Sequence, residues 1–328
     1  MKRLFFLLVL AAAAWVFYCV QIPVGPSTET FLEIAPGTAS MQIAAELKRQ
    51  GLVRSQYVFE AMRLIRGGTL KAGEYRFDHP AKMEEVFGRL RRGDVYTVSL
   101  TIPEGSNLFD IAQRVEAAHL GGRDQFLAAA KANVSLVADL DPSVSSLEGY
   151  LFPDTYRFGR KTTAAQMQAA MVRRFRQEAS NLGLTANDHR VVTLASLVER
   201  ETPIPSERPL VASVFENRLA KDMPLMTDPS VIYAALLEGR YRGTIYASDL
   251  ETESPYNTYR HAGLPPGPIC NPGTASLKAA MNPARTDYLY FVAASANPLG
   301  VSKFSATLAE HTHNVQEYRR SLREAGTR

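Results

Sequence analysis

The sequence predicts an α+β protein: a single N-terminal transmembrane helix, a small α+β module over residues 30–95, and a mainly helical domain with a small sheet over residues 96–328. Three observations predict it. Residues 4–20 form an uncharged apolar run long enough for a short membrane span. Beyond that run, apolar residues recur mostly at helical spacing, while β-type stretches such as 31–34 and 98–102 are short and isolated. Third, Pro36-Gly37-Thr38 followed by Ile43-Ala44 returns as Pro103-Glu104-Gly105-Ser106 followed by Ile111-Ala112, each time between a β-type stretch and a helical pattern. Two copies are too few for a solenoid and mark two small α+β modules instead.

The first element is set by its flanks. Lys2 and Arg3 precede the apolar run, and Trp15 and Tyr18 lie near its outer end. A secretory signal is the alternative, but the run exceeds a usual h-region, and its small residues 11–14 lie inside the run rather than after it. Cys19 follows Phe17-Tyr18, which are too bulky for the position before a lipidated cysteine. A retained anchor over residues 1–22 is therefore expected, with the N-terminus in the cytoplasm and everything after Pro23 outside it. Cys270 stands alone in a proline-rich loop, so no intramolecular disulfide is expected. The net charge of +4 is mild, and the dense basic clusters, Arg89-Leu90-Arg91-Arg92 and Arg173-Arg174-Phe175-Arg176, read as polar helix faces. No nucleic-acid partner is expected for a chain outside the membrane.

In the first module the strand at 31–34 leads into a helix at 39–50, with Thr38 as the expected N-cap. A helix near 55–65, a turn and strand at 71–77 and a helix at 83–92 follow. A strand at 96–102 opens the larger domain, and Ser106 is expected to cap the first of a pair of helices. The aromatic segment 147–158 contains Pro153, which forbids a central strand, so an edge strand or extended loop is expected. Its aromatics read as core, while Asp154 beside Tyr156 also fits a carbohydrate-binding wall. Helices are expected at 167–182, 188–201, 209–221 and 229–237, the last with Asp228 as N-cap and Pro229 at its first position. Tyr256-Asn257-Thr258-Tyr259 and Gly263-Leu264-Pro265-Pro266-Gly267-Pro268-Ile269 are too rich in turn residues for regular structure, and long ordered loops tend to carry function. A late strand at 288–293 and a terminal helix from about Thr307 complete the order.

The chemistry is concentrated in Leu194-Ala195-Ser196-Leu197-Val198-Glu199-Arg200-Glu201-Thr202, which precedes the rigid Pro203-Ile204-Pro205. At about 100° per residue, Val191, Leu194, Ala195 and Val198 share one helix face and Arg200 lies opposite. Glu199 and Glu201 then flank the buried face, each about 80° from its centre. Pro203 ends the helix, so both carboxylates sit in its last turn, where the negative end of the helix dipole and partial burial favour the protonated acid. The alternative is a solvated end of a core helix, and spacing leaves both readings open. Phosphate loops, the Gly-x-Ser-x-Gly elbow and His-Glu-x-x-His are all missing, which disfavours kinases, α/β-hydrolases and zincins. His311 and His313 point to different helix faces, so no metal and no cofactor are expected. Carboxylate chemistry in an aromatic, amide-lined groove remains, a combination that sugar polymers call for.

The segments 194–202, 206–219, 227–233, 256–259, 263–269 and 276–280 resemble, in order and over nearly the whole chain, the endolytic murein transglycosylase MltG (YceG-like) family. The resemblance implies a protein of the cytoplasmic (inner) membrane whose catalytic domain faces the periplasm or cell wall. It also implies that the 30–95 module is LysM-like, and that Glu201, the second of the Glu-x-Glu pair, is the catalytic acid with Glu199 in support. Protonated Glu201 would donate to the glycosidic oxygen between N-acetylmuramic acid and N-acetylglucosamine. Its carboxylate would then take the proton of the C6 hydroxyl as that oxygen attacks C1, leaving a 1,6-anhydro end. A glycoside hydrolase would need a second carboxylate, for which Asp154, Asp228 and Glu148 are all open. Tyr256, Asn257 and Tyr259 could hold N-acetyl groups and stack on sugars, with Glu148, Asp154 and Tyr156 along the groove; loop anchoring and core packing are the alternative. Glu310 and His311 match the family, whereas Ser302 replaces a histidine that many relatives carry. The expected partners are glycan strands, the membrane through residues 4–20 and, by resemblance alone, penicillin-binding glycan polymerases. A non-catalytic wall-binding scaffold is the competing function.

Overall fold

The computed structural model describes residues 2–142, 144–185, 188–297 and 300–326; Met1, at the expected cytoplasmic end of the anchor, lies outside them. The chain divides into two compact units, Met1–Val98 and Ser99–Arg328.

The first unit begins with α1 (Lys2–Gln21), a helix long and apolar enough to cross a membrane. Among its described residues only Cys19 is buried, and most of its apolar side chains face outward, as a bilayer-facing surface requires. Strand β1 (Thr30–Ile34) pairs antiparallel with β2 (Gly73–Phe77), with Leu32 opposite Tyr75. Helices α2 (Ser40–Arg49), α3 (Gln56–Arg66) and α4 (Met83–Arg92) complete the unit around Leu32, Leu47, Phe59, Tyr75, Phe87 and Leu90. Phe59 meets Phe87 edge-to-face at 6.1 Å, the arrangement that ring quadrupoles favour. Thr38 does not cap α2: its hydroxyl donates to the Ala35 carbonyl at 2.8 Å, closing the preceding turn. The cap is Ala39, whose N–H is taken by the Gln42 side chain at 3.3 Å.

The second unit is mainly helical. Strand β3 (Val98–Thr101) pairs with β4 (Thr155–Phe158), so of the aromatic segment only its last four residues are strand. The helical pair is α5 (Leu108–Ala117) and α6 (Arg123–Ala132). Asn107, one residue past Ser106, caps α5, accepting the Asp110 N–H at 2.9 Å while Asp110 accepts the Asn107 N–H at 3.1 Å. Ser106 instead donates to the Pro103 carbonyl at 2.8 Å. Both copies of the echo therefore use their hydroxyl to close the turn and leave the cap to the next residue.

Helices α7 (Ala164–Leu182), α8 (His189–Glu201), α9 (Arg208–Leu219), α10 (Asp228–Leu237), the short α11 (Ala247–Leu250) and α12 (Thr274–Met281) follow. In α10 the cap is Thr227, with Asp228 the first helical residue and Pro229 the second, one position later than expected. Strands β5 (Tyr290–Ala293) and β6 (Ser302–Ser305) pair antiparallel, and α13 (Leu308–Gly326) packs on them.

Helix α8 is the axis of this unit. It packs on α9, α10 and α12, and residues 192–198 are all buried, Thr193 and Ser196 included. The single buried face expected from spacing is thus a fully enclosed stretch, because three helices surround it. Its polar side chains are satisfied internally: Ser196 Oγ donates to the Thr193 carbonyl at 2.7 Å and accepts the Ile269 N–H at 3.0 Å. That second bond, with the Cys270 thiol donating to the Ser196 carbonyl at 3.3 Å, fastens the proline-rich loop to α8.

Candidate active site

Two carboxylates leave the C-terminal turn of α8 in opposite circumstances. Glu199 is fully committed: Oε1 accepts Arg208 Nη2 at 2.8 Å and Oε2 accepts the backbone N–H of Gly273 at 2.9 Å. Its side chain is 4% exposed and that of Arg208 7%. Since Arg208 begins α9 and Gly273 caps α12, this carboxylate joins three helices. A Cβ at Gly273 would lie 1.9 Å from Glu104 Oε1, so a larger residue there would displace the Glu104 carboxylate.

Glu201 is half-buried, and among the described residues it has no hydrogen-bond partner. Burial, and then the negative charge of Asp228, push its carboxyl up to about 7; the positive charges of Arg218 and Arg200 pull the other way. Such a group exchanges a proton near neutral pH, the property a general acid and base needs.

Thr202 holds the turn beyond it. Its backbone is extended (φ −137°, ψ 128°), as the residue before Pro203 must be, and its hydroxyl accepts the Ile204 N–H at 3.1 Å and donates to Glu207 at 3.2 Å. Glu207, buried, also accepts Ser302 N–H at 2.5 Å and Ser302 Oγ at 2.9 Å. Ser302 is therefore a donor that ties β6 to the entrance of α9.

Around Glu201 stand Asp228, Tyr259 and Arg218. Tyr259 donates to Asp228 Oδ1 at 2.6 Å, and burial and that carboxylate raise its phenol above the ordinary range. Arg218, half-buried, donates Nε to the Leu289 carbonyl at 2.7 Å and Nη1 to the Leu225 carbonyl at 2.8 Å. Its guanidinium lies 5.4 Å from the Tyr290 ring centroid, and that ring stacks on His311 at 5.1 Å. Burial and the Arg218 charge depress the His311 imidazole, which favours its neutral form.

The other expected site residues are engaged in contacts of their own. Glu148 is 3% exposed, accepting the Leu108 N–H at 2.9 Å and Asn271 Nδ2 at 3.0 Å. Burial pushes its carboxyl up to about 8. Tyr256 belongs to that buried cluster through Tyr233, 5.1 Å away ring to ring, which is hydrogen-bonded to Glu148. Asn257, fully buried, donates to the Leu250 and Thr252 carbonyls at 2.9 and 2.8 Å and accepts the Tyr259 N–H at 3.1 Å, so it acts as a loop anchor. Asp154 pairs with Arg174 at 2.8 Å, and Tyr156 donates to the Phe152 carbonyl at 2.5 Å and stacks on Phe158. The structure thus brings Glu201, Asp228, Tyr259 and, through Arg218 and Tyr290, His311 together, and puts Glu148, Tyr256, Asn257, Asp154 and Tyr156 in other settings.

Sequence reasoning missed Arg208, Arg218 and Asn271. The two arginines stood in the motif segment 206–219, where charge inside a helix this deeply packed is itself a signal. Asn271 follows the proline-rich loop; its side chain accepts the Leu151 N–H at 2.8 Å and donates to the Ser106 carbonyl at 2.8 Å, fastening the turn before α5.

The sequence pattern of the YceG-like family matches residues 32–317 of this chain. The chain belongs to the YceG-like family. This YceG-like chain is 33% identical over 320 residues to an endolytic murein transglycosylase of Bacillus subtilis strain 168, covering 90% of this chain and 87% of that protein. It is 31% identical over 337 residues to an endolytic murein transglycosylase of Streptococcus pneumoniae serotype 2 strain D39, covering 90% of this chain and 60% of that one. Among solved structures it is similar to a yceG-like protein of Listeria monocytogenes, with a TM-score of 0.57 and 33% identity over 88% of this chain and 99% of the other.

Proposed function

We propose that this YceG-like chain is an endolytic peptidoglycan lytic transglycosylase, cleaving the bond between N-acetylmuramic acid and N-acetylglucosamine in nascent glycan strands. The observation that carries the reading is the contrast at the end of α8: Glu199 is locked by Arg208 and Gly273, while Glu201 is desolvated, unpartnered and pushed up to about 7. Protonated Glu201 donates to the glycosidic oxygen as the bond to C1 breaks. Its carboxylate then accepts the C6 hydroxyl proton as that oxygen bonds to C1, so the proton is returned and no water is consumed. Arg218, whose charge favours ionised Glu201, steadies the carboxylate between the two steps.

Asp228 is a carboxylate whose charge reaches Glu201, which makes it the position a hydrolase would use as base or nucleophile. The α1 helix serves as the membrane anchor, with the N-terminus in the cytoplasm and the Glu201 unit facing the cell wall; the first unit is a LysM-like glycan-binding module, and glycan polymerases are the protein partners. Digestion of purified peptidoglycan followed by mass spectrometry tests the reading. Anhydro-muramyl ends are expected, reducing ends would mean a hydrolase, and no cleavage would leave a binding scaffold. Glu201→Gln is expected to lower cleavage by about 100- to 10,000-fold while the circular dichroism spectrum is retained. Full activity in that variant would overturn the assignment.

A further inference from the structure

A cleft of about 540 Å³ opens between the turn 103–106, the outer face of α5 and Arg200 of α8, the residue that precedes the candidate acid. Its volume falls within the range of about 300–1,000 Å³ typical of small-ligand sites. Glu104, Ser106, Asp110, Gln113, Arg114 and Arg200 line it. The acids and the hydroxyl are already engaged. Asp110 accepts the Asn107 N–H at 3.1 Å, Glu104 lies 3.6 Å from Arg208, and Ser106 donates to the Pro103 carbonyl at 2.8 Å. The cations are not. Arg200 donates only to the Gly105 carbonyl, at 3.2 Å, and among the described residues neither Arg200 nor Arg114 is paired with a carboxylate. Two forked guanidiniums facing one cleft form a receptor for carboxylate groups.

Arg200 and Glu201 are consecutive, about 3.8 Å apart at Cα, and their side chains diverge by about 100°. Arg200 thus carries the cleft to the helix face next to the one that presents Glu201. In peptidoglycan the substituent that leaves the sugar sideways is the peptide on the muramic lactyl group, and that peptide carries free carboxylates. We propose that the cleft is a stem-peptide subsite, in which Arg114 and Arg200 receive the carboxylates of the acidic peptide on the muramic residue being cleaved. The inference rests on the transglycosylase reading and deepens it.

The test uses the full-length protein in detergent and two substrates: uncrosslinked glycan strands that carry peptides, and the same strands stripped of them by an amidase. The quantity read is the ratio of kcat/KM on the two. Wild type is expected to favour the peptide-bearing strands by about 10-fold or more, the scale of one or two charge-assisted hydrogen bonds. In Arg114→Gln, and further in Arg114→Gln/Arg200→Gln, that ratio is expected to fall towards one. A wild-type ratio near one, or a ratio unchanged in both variants, overturns the proposal. If wild type cuts neither substrate, the transglycosylase reading fails and the cleft is tested alone by calorimetry with free stem peptide. Binding that Arg114→Gln abolishes supports the subsite, and no binding by wild type overturns it.

Discussion

Glu201, half-buried, and Glu148, buried, share a raised pKa and differ in what surrounds them. Glu201 has no hydrogen-bond partner among the described residues and lies within reach of the charges of Asp228, Arg218 and Arg200. Because it must be protonated to act as acid, kcat/KM is expected to fall about tenfold per pH unit above about 7. A rate profile flat from pH 6 to 9 would contradict that role. Glu148 is held by Leu108 N–H, Asn271 and Tyr233, out of contact with solvent. With a folded value of about 8 against an ordinary 4.5, it favours the folded state below pH 4.5 and loses that contribution as pH rises to about 8. Glu148→Gln cannot ionise. Compared with wild type by urea denaturation, the variant is therefore expected to gain stability steadily between pH 5 and 8, and a difference that does not change with pH would show that Glu148 is not buried as an acid.

At the scale of elements, the end of α8 is held by bonds that run to distant parts of the chain. Glu199 connects it to α9 and to the first turn of α12, Ser196 connects it to the loop before α12, and Thr202 with Glu207 and Ser302 connects it to β6. These contacts keep the turn carrying Glu201 fixed while leaving its carboxyl free. Removing Glu199 leaves Arg208, which is 7% exposed, with only the longer ion pair to Glu104 at 3.6 Å, so Glu199→Ala is expected to destabilise the second unit by up to about 3–5 kcal/mol. Chemical denaturation measures this directly. A change below about 1 kcal/mol would mean that the pair is solvated. Thr38, Ser106 and Asp228 are all good N-cap types, and each lies one residue from the cap that the chain uses: the two hydroxyls close the preceding turn, and Asp228 is the first residue of its helix.

At the scale of the molecule, the chain forms two compact units, the first of which begins with an apolar helix. If α1 is a retained anchor, the full-length chain is expected to stay with membranes through alkaline carbonate extraction and to leave them only in detergent; release by carbonate alone would contradict a spanning helix. Much of this organisation was legible in the sequence because it rests on local patterns. The apolar run of residues 4–20, the helical periods of α2 to α4 and α7 to α10, and the proline that ends α8 all act through neighbours a few residues apart. Strand β6 was not legible, since four residues such as Ser302–Ser305 become a strand only by pairing with β5. The site divided in the same way. The sequence by itself determined that two glutamates end a buried helix before a proline, and its family motifs pointed to Glu201. Only the tertiary structure decided which carboxyl is bound and which is free, because Arg208, Gly273, Arg218 and Asp228 reach them from other helices, and desolvation and charge depend on distance in space rather than on position along the chain.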